Sequence, residues 1–127
     1  MTIESDRAEF SGQSHKARFL GNVIIDLGTL RVTGPEAEFA FGGESEEVKS
    51  VLIKGGVKVS DVDKWATSQQ VAVHFDENRY VFKGSPRLVQ NRDELRGEEI
   101  VFLDGGKIVK VYNAKAKVDK KHLEEKN

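Results

Sequence analysis

Apolar and polar residues alternate along most of this chain, with the period of two that marks half-buried strands and not the 3.6 of a helix. In Pro35-Glu36-Ala37-Glu38-Phe39-Ala40-Phe41 the odd positions are apolar and two of the three even ones are Glu. Ala37, Phe39 and Phe41 therefore share an inward face. The same rule turns Val57 and Val59 inward against Lys58 and Ser60, and Val71, Val73 and Phe75 against His74 and Asp76. It turns Tyr80 and Phe82 inward against Lys83, and Ile100 and Phe102 against Glu99. The stretch 23–25 is apolar on both faces, and a slip of one residue there would reverse every side chain. The pattern predicts strands over 17–26, 30–41, 48–60, 70–75, 80–90, 95–103 and 107–118. Between them lie turn signals: 26–29, an acidic loop over 41–47, an irregular link over 61–64, a short turn over 76–78, and Asp104-Gly105-Gly106, which supplies the positive φ of a hairpin. Strands at this rhythm suit a sandwich or barrel.

Two phrases recur within that pattern. One reads Phe19-Leu20-Gly21-Asn22-Val23, then Ile53-Lys54-Gly55-Gly56-Val57, then Phe82-Lys83-Gly84-Ser85-Pro86, with a weaker copy around Asn113. Its copies are 34, 29 and 29 residues apart, and it reads as strand-turn-strand. The other begins at Ser5, Gly34, Ser68 and Gly97, at steps of 29, 34 and 29. Interleaved phrases with matching offsets argue for one supersecondary unit packed against copies of itself.

At 127 residues the chain is one domain, long enough to bury a core. Charged residues make up 32% of it, as solvated outer faces require, and the net charge of −1 with no basic aromatic patch argues against nucleic acid as a partner. No apolar run approaches the length of a membrane span, and no leader is visible. With no cysteine there is neither a disulfide nor a thiolate metal site. His15, His74 and His122 lie on separate segments without ligand spacing, so no metal or catalytic centre is expected. Asp61-Val62-Asp63 lacks the glycine and distal Glu of a calcium loop. Glu46-Glu47 and Glu98-Glu99 are strand neighbours that point to opposite faces. No cofactor is implied, and the chain reads as a binding protein, not an enzyme.

The phrases Phe19-Leu20-Gly21-Asn22-Val23 and Phe82-Lys83-Gly84-Ser85-Pro86-Arg87-Leu88, followed by Leu95-Arg96-Gly97-Glu98-Glu99-Ile100 and Asp104-Gly105-Gly106-Lys107, resemble the repeated signature of the OstA-like, lipopolysaccharide transport protein A (LptA) family. The opening Thr2-Ile3-Glu4-Ser5-Asp6-Arg7-Ala8-Glu9-Phe10 resembles the start of a mature member. The likeness covers roughly residues 2–118. Gly55-Gly56 and Gly84-Ser85 depart from the family's Gly-Asn pair.

The resemblance implies an all-β, open β-jellyroll over residues 1–118, V-shaped in section and built of two twisted antiparallel sheets, with 119–127 as a charged tail. It implies a periplasmic bridge, its leader removed, that carries lipid A of lipopolysaccharide in an apolar groove from inner to outer membrane. The implied groove residues are Ile25, Val32, Phe39, Phe41, Val57, Val59, Val73, Phe75, Phe82, Leu88, Ile100 and Phe102. The implied edge contacts, to membrane-anchored jellyroll partners or to another copy head to tail, are Ile3, Ala8, Phe10, Val109, Val111, Ala114 and Ala116. Two alternatives stand beside the bridge. One is the soluble domain of the inner- or outer-membrane partner (transport protein C or D). The other is a closed β-sandwich or β-solenoid interaction module without a lipid site.

Overall fold

The alternating segments become strands in a computed structural model that describes residues 1–42 and 47–119. In chain order they are β1 (Thr2–Glu4), β2 (Arg7–Ser11), β3 (Lys16–Leu27), β4 (Leu30–Gly42), β5 (Glu47–Ser60) and β6 (Lys64–His74). These are followed by β7 (Arg79–Lys83), β8 (Arg87–Gln90), β9 (Asp93–Arg96), β10 (Glu99–Leu103), β11 (Ile108–Tyr112) and β12 (Lys115–Lys117). Every pairing is antiparallel. β1 and β2 both pair with β3, β7 and β8 both pair with β6, and β10 and β9 continue onto β11 and β12. The short strands are thus halves of longer segments, and the chain is an up-and-down meander of eight such segments in one sheet.

A single line crosses all eight. It passes through Ser5-Asp6, Gly21-Asn22, Gly34-Pro35, Gly55-Gly56, Ser68-Gln69, Gly84-Ser85-Pro86, Gly97-Glu98 and Asn113-Ala114, where the register shifts or the strand breaks. The residues on it carry the conformations such a bend demands: φ is +82° at Gly21, +48° at Asn22, +93° at Gly55, +97° at Gly56, +86° at Gly84 and +53° at Ser85. Both prolines of the chain, Pro35 and Pro86, sit on the line, where a strand can spare an N–H. The ladder is re-knit across it. The Asp6 N–H donates to the Gly21 carbonyl at 2.9 Å, the Gln69 N–H to Gly84 at 3.0 Å, and the Glu98 N–H to Tyr112 at 2.9 Å.

This corrects the reading of the recurring phrases as strand-turn-strand. At Gly21-Asn22, Gly55-Gly56 and Gly84-Ser85 the chain does not reverse. It bulges and continues, because a positive-φ pair inserts extra residues on one strand without closing a hairpin. Among the described residues the reversals lie elsewhere, at 12–15, 28–29, 61–63, 75–78, 91–92 and 104–107. Asp104, Gly105 and Gly106 all take positive φ there (+52°, +67° and +97°). The expected strand 70–75 starts earlier, at Lys64, and 80–90 and 95–103 are each divided by the line. The acidic loop falls mostly on residues 43–46, outside the described residues, as does the tail beyond Asp119.

The bulges fold the one sheet into two half-sheets whose apolar faces meet in a common core. On the first, Ile3, Ile25, Val32, Val59, Ala66, Leu88, Leu95 and Ala116 are successive cross-strand partners over all eight segments. On the second, two such rows run in parallel: Ala8-Phe19-Ala37-Ile53-Val71-Phe82-Ile100-Val111, and Phe10-Ala17-Phe39-Val51-Val73-Tyr80-Phe102-Val109. Outward positions carry cross-strand ion pairs such as Lys16–Glu38 at 3.1 Å and Arg18–Glu36 at 3.6 Å. No helix in the described residues is long and apolar enough to cross a membrane.

Candidate lipid groove and its open edges

The three apolar rows are the candidate site. Of the twelve residues expected to line a groove, ten are buried in one cluster: Ile25, Val32, Phe39, Val57, Val59, Val73, Phe82, Leu88, Ile100 and Phe102. Phe41 and Phe75 pack on its margin, half-buried. The sequence reading missed Ala17, Phe19, Val51, Ile53, Ala66 and Leu95, which fill the same rows. Val51-Leu52-Ile53 is apolar on both faces, so alternation gave no direction there. Leu95 stands alone between Glu94 and Arg96. Ala17 and Phe19 did alternate around Arg18, and that signal was available.

The interior is packed against itself. Phe82 and Ile100 are 0% exposed, and the Phe82 and Phe102 rings lie 4.9 Å apart. At one end, between Leu30, Val59, Ala66, Leu88 and Phe102, a void of only about 10 Å³ is left. Burial alone raises the pKa of Tyr80, a member of the same core.

At both edges of the sheet the rows run out into solvent. β1 and β2 form one free edge and β11 and β12 the other; no strand pairs with either outer side among the described residues. Phe10, the first residue of its row, is 75% exposed, and Val109, the last, is 37% exposed. Ala8 and Ala116 are exposed, whereas Ile3 and Val111 are half-buried against the core. Six of the seven expected edge residues therefore end an apolar row. Ala114 does not: it falls in the break between β11 and β12, next to Asn113 with φ +52°. Beside Phe10, a side opening of about 270 Å³ is lined by Ser11, His15, Lys16 and Phe41.

The outer surface beside the second edge holds the strongest electrostatic cluster. Glu94 accepts hydrogen bonds from Arg87 Nε at 2.7 Å and from Arg96 Nε. The bond from Arg87, then that from Arg96, lowers the Glu94 carboxyl from 4.5 to about 2. Because the folded value is depressed, the stabilisation is present above pH 4.5 and is lost as pH falls from there towards 2. Glu94→Gln should therefore melt below the wild type at pH 7, with the gap closing across that window. Thermal melts at several pH values check this, and a gap independent of pH would rule it out. No group of three or more His, Asp or Glu converges as a metal site among the described residues. His15 lies in the β2–β3 turn, His74 ends β6, and His122 is outside the described residues.

Known proteins share this architecture. The structure superposes on LptH, described as the LptA homologous periplasmic component of the conserved lipopolysaccharide transport device from Pseudomonas aeruginosa, with a TM-score of 0.82. The match covers 93% of this chain and 94% of that one, at 16% sequence identity. It establishes the open β-jellyroll fold. Among curated protein sequences none matches the chain. A family profile described as "LptA/(LptD N-terminal domain) LPS transport protein" matches residues 2–104. With most of the chain inside that match, this protein belongs to the LptA/LptD N-terminal-domain family of lipopolysaccharide transport proteins.

Proposed function

We propose that this domain is a periplasmic bridge element that holds the acyl chains of lipopolysaccharide between its half-sheets and passes them on through its free edges. The observation that carries this is the set of three apolar rows that cross all eight segments and end at both sheet edges in exposed or half-buried apolar residues. Each acyl methylene kept from water is worth about 0.8 kcal/mol, so a multi-chain lipid needs a continuous apolar path across an aqueous space. In the packed state the path is filled by Phe39, Phe82, Ile100 and Phe102. Lipid enters by parting the half-sheets about the glycine-rich line, which concentrates the bending at bulges and leaves the ladders intact. The protein acts as a carrier and not as a catalyst.

An exposed strand edge is a template for another strand. A neighbouring jellyroll, either a membrane-anchored partner or a second copy head to tail, would extend both the ladder and the rows beyond Phe10 or Val109. A terminal domain fixed to one membrane partner, of the C or D type, needs only one such edge. Rows that run out at both edges favour the bridging role.

Photocrosslinking in cells tests the reading, with a photoreactive residue at Phe41 or Phe75 on the groove margin, at outward-facing Leu52 as control, and at Phe10 on the edge. Lipopolysaccharide adducts are expected at Phe41 and Phe75 and not at Leu52, and protein adducts at Phe10. A folded protein giving no lipid adduct at either margin site would leave a closed interaction module instead. Phe10 adducts to lipid but never to protein would remove the edge-to-edge arrangement.

A further inference from the structure

Behind the apolar interior, the bend leaves a polar trough on the opposite surface of the sheet. Two concavities, of about 730 Å³ and 410 Å³, meet at Ser85 on the fold line. The trough's walls offer Thr33, Thr67, Gln69, Ser85 and Asn113, hydrogen-bonding side chains set among glycines, and end at Asn22, whose Nδ2 donates to the Asp6 carboxylate at 3.0 Å. Lys58, Thr67, Arg87, Arg96 and Lys115 are successive cross-strand partners on this outer face. The row places four cations over five adjacent segments, a span of about 19 Å at the usual strand spacing. Lys58 and Lys115 have no ion pair among the described residues, whereas Arg87 and Arg96 share Glu94. Glu98 is the carboxylate on the wall of the smaller concavity. The trough therefore keeps a positive surplus. The ring of Trp65 also orders the cations, with Lys58 Nζ at 5.3 Å and the Arg87 guanidinium at 5.1 Å from its centroid.

We propose that this trough binds an anionic oligosaccharide, at a site separate from the lipid groove. A compact anion needs donors that converge on one point, whereas these are strung along a trough. A protein partner would look for an apolar centre with anchor pockets, whereas here Val23 and Val57 are buried, and only half-buried Ile24 and exposed Pro35 stand among Gly, Ser, Thr and Gln. A short chain of hydroxyl-rich rings with acidic groups at intervals matches both the hydrogen-bonding walls and the spaced cations.

Trp65 is the only tryptophan in the chain and so reports on the site directly. The test titrates the protein with hyaluronan tetrasaccharide, with neutral maltotetraose and with inorganic phosphate, following Trp65 emission and, independently, heat by calorimetry. Hyaluronan tetrasaccharide should bind saturably and weaken as salt is raised, while the other two give no comparable response. The double variant Lys58→Gln/Lys115→Gln, at exposed positions without an ion pair among the described residues, should keep its melting temperature within a few degrees and lose roughly tenfold or more in calorimetric affinity, since two charge-assisted contacts are removed. Equal binding of maltotetraose, a matching response to phosphate alone, no binding of hyaluronan tetrasaccharide, or an unchanged affinity in the double variant would each overturn the assignment.

Discussion

Replacing Phe82 by Ala should destabilise the fold by about 3–5 kcal/mol, the range for truncating a buried aromatic whose surroundings cannot collapse. Phe82 is fully buried, pairs across the strands with Val71 and Ile100, and packs at a tilt against the Phe102 ring at 4.9 Å. Its neighbours belong to hydrogen-bonded ladders on both sides, so the backbone cannot close the space. A domain of this size has a total stability of roughly 5–15 kcal/mol, and the loss would be a large part of it. Urea unfolding measures the effect as a lower midpoint with an unchanged slope. Phe10→Ala is the matched control. It removes the same ring from the end of a row, where Phe10 is 75% exposed, and should shift the midpoint little. Equal costs at the two positions would mean that the rows do not differ in burial between centre and edge, contrary to the architecture of the two half-sheets.

Why the middle of each row was legible in the sequence and its ends were not follows from the same geometry. Central strands have a buried and a solvated face, so selection for solubility writes the alternation: Glu36 and Glu38 against Ala37 and Phe39, Lys58 against Val57 and Val59. Where the outer face is also apolar the signal vanishes. Val51-Leu52-Ile53 is one such place. Tyr80-Val81-Phe82 and Ile100-Val101-Phe102 are others, for Val81 and Val101 pair with each other on the outer face and are themselves buried. There the inward positions were placed only by the charged neighbours at the strand ends, Lys83 and Glu99. The fold line was visible as a repeat but misread as a turn. Gly-Asn, Gly-Gly and Gly-Ser serve hairpins and bulges alike, since both need φ > 0, and only the partner strand decides between them. The partner's own break, at Ser5, Gly34, Ser68 and Gly97, was in the sequence as the second phrase. The matching steps of the two phrases have a structural cause: each phrase is one side of the same crossing of the line. The outer trough could not be read at all, because Lys58, Arg87, Arg96 and Lys115 become neighbours only through strand register.

Gly84→Val should be among the most damaging substitutions on the fold line, although it removes no contact. Gly84 has φ +86°, a conformation that costs a branched side chain about 1–3 kcal/mol. A Cβ there would also drive into the Cβ and Cγ of Gln69 and close on its backbone N at 3.3 Å. That second contact cannot relax cheaply, because the Gln69 N–H is the donor that holds the Gly84 carbonyl at 3.0 Å and joins the ladders across the bend. Two other glycines separate the contributions. Gly56 has φ +97° and no atom within 4 Å of the place a Cβ would take, so Gly56→Val should show the backbone strain alone. Gly12 has neither a positive φ nor a near neighbour, and Gly12→Val should be close to neutral. Thermal melts are therefore expected to rank Gly84→Val below Gly56→Val, and both below Gly12→Val. If Gly84→Val melted with Gly12→Val, the bulge would be a tolerant loop and not the place where one sheet is bent into two faces. The ranking bears on transport as well as stability. In the mechanism proposed above, the line that holds the apolar rows face to face is also the line about which they would part, so a residue that stiffens it at Gly56 should slow lipid uptake even where the fold survives.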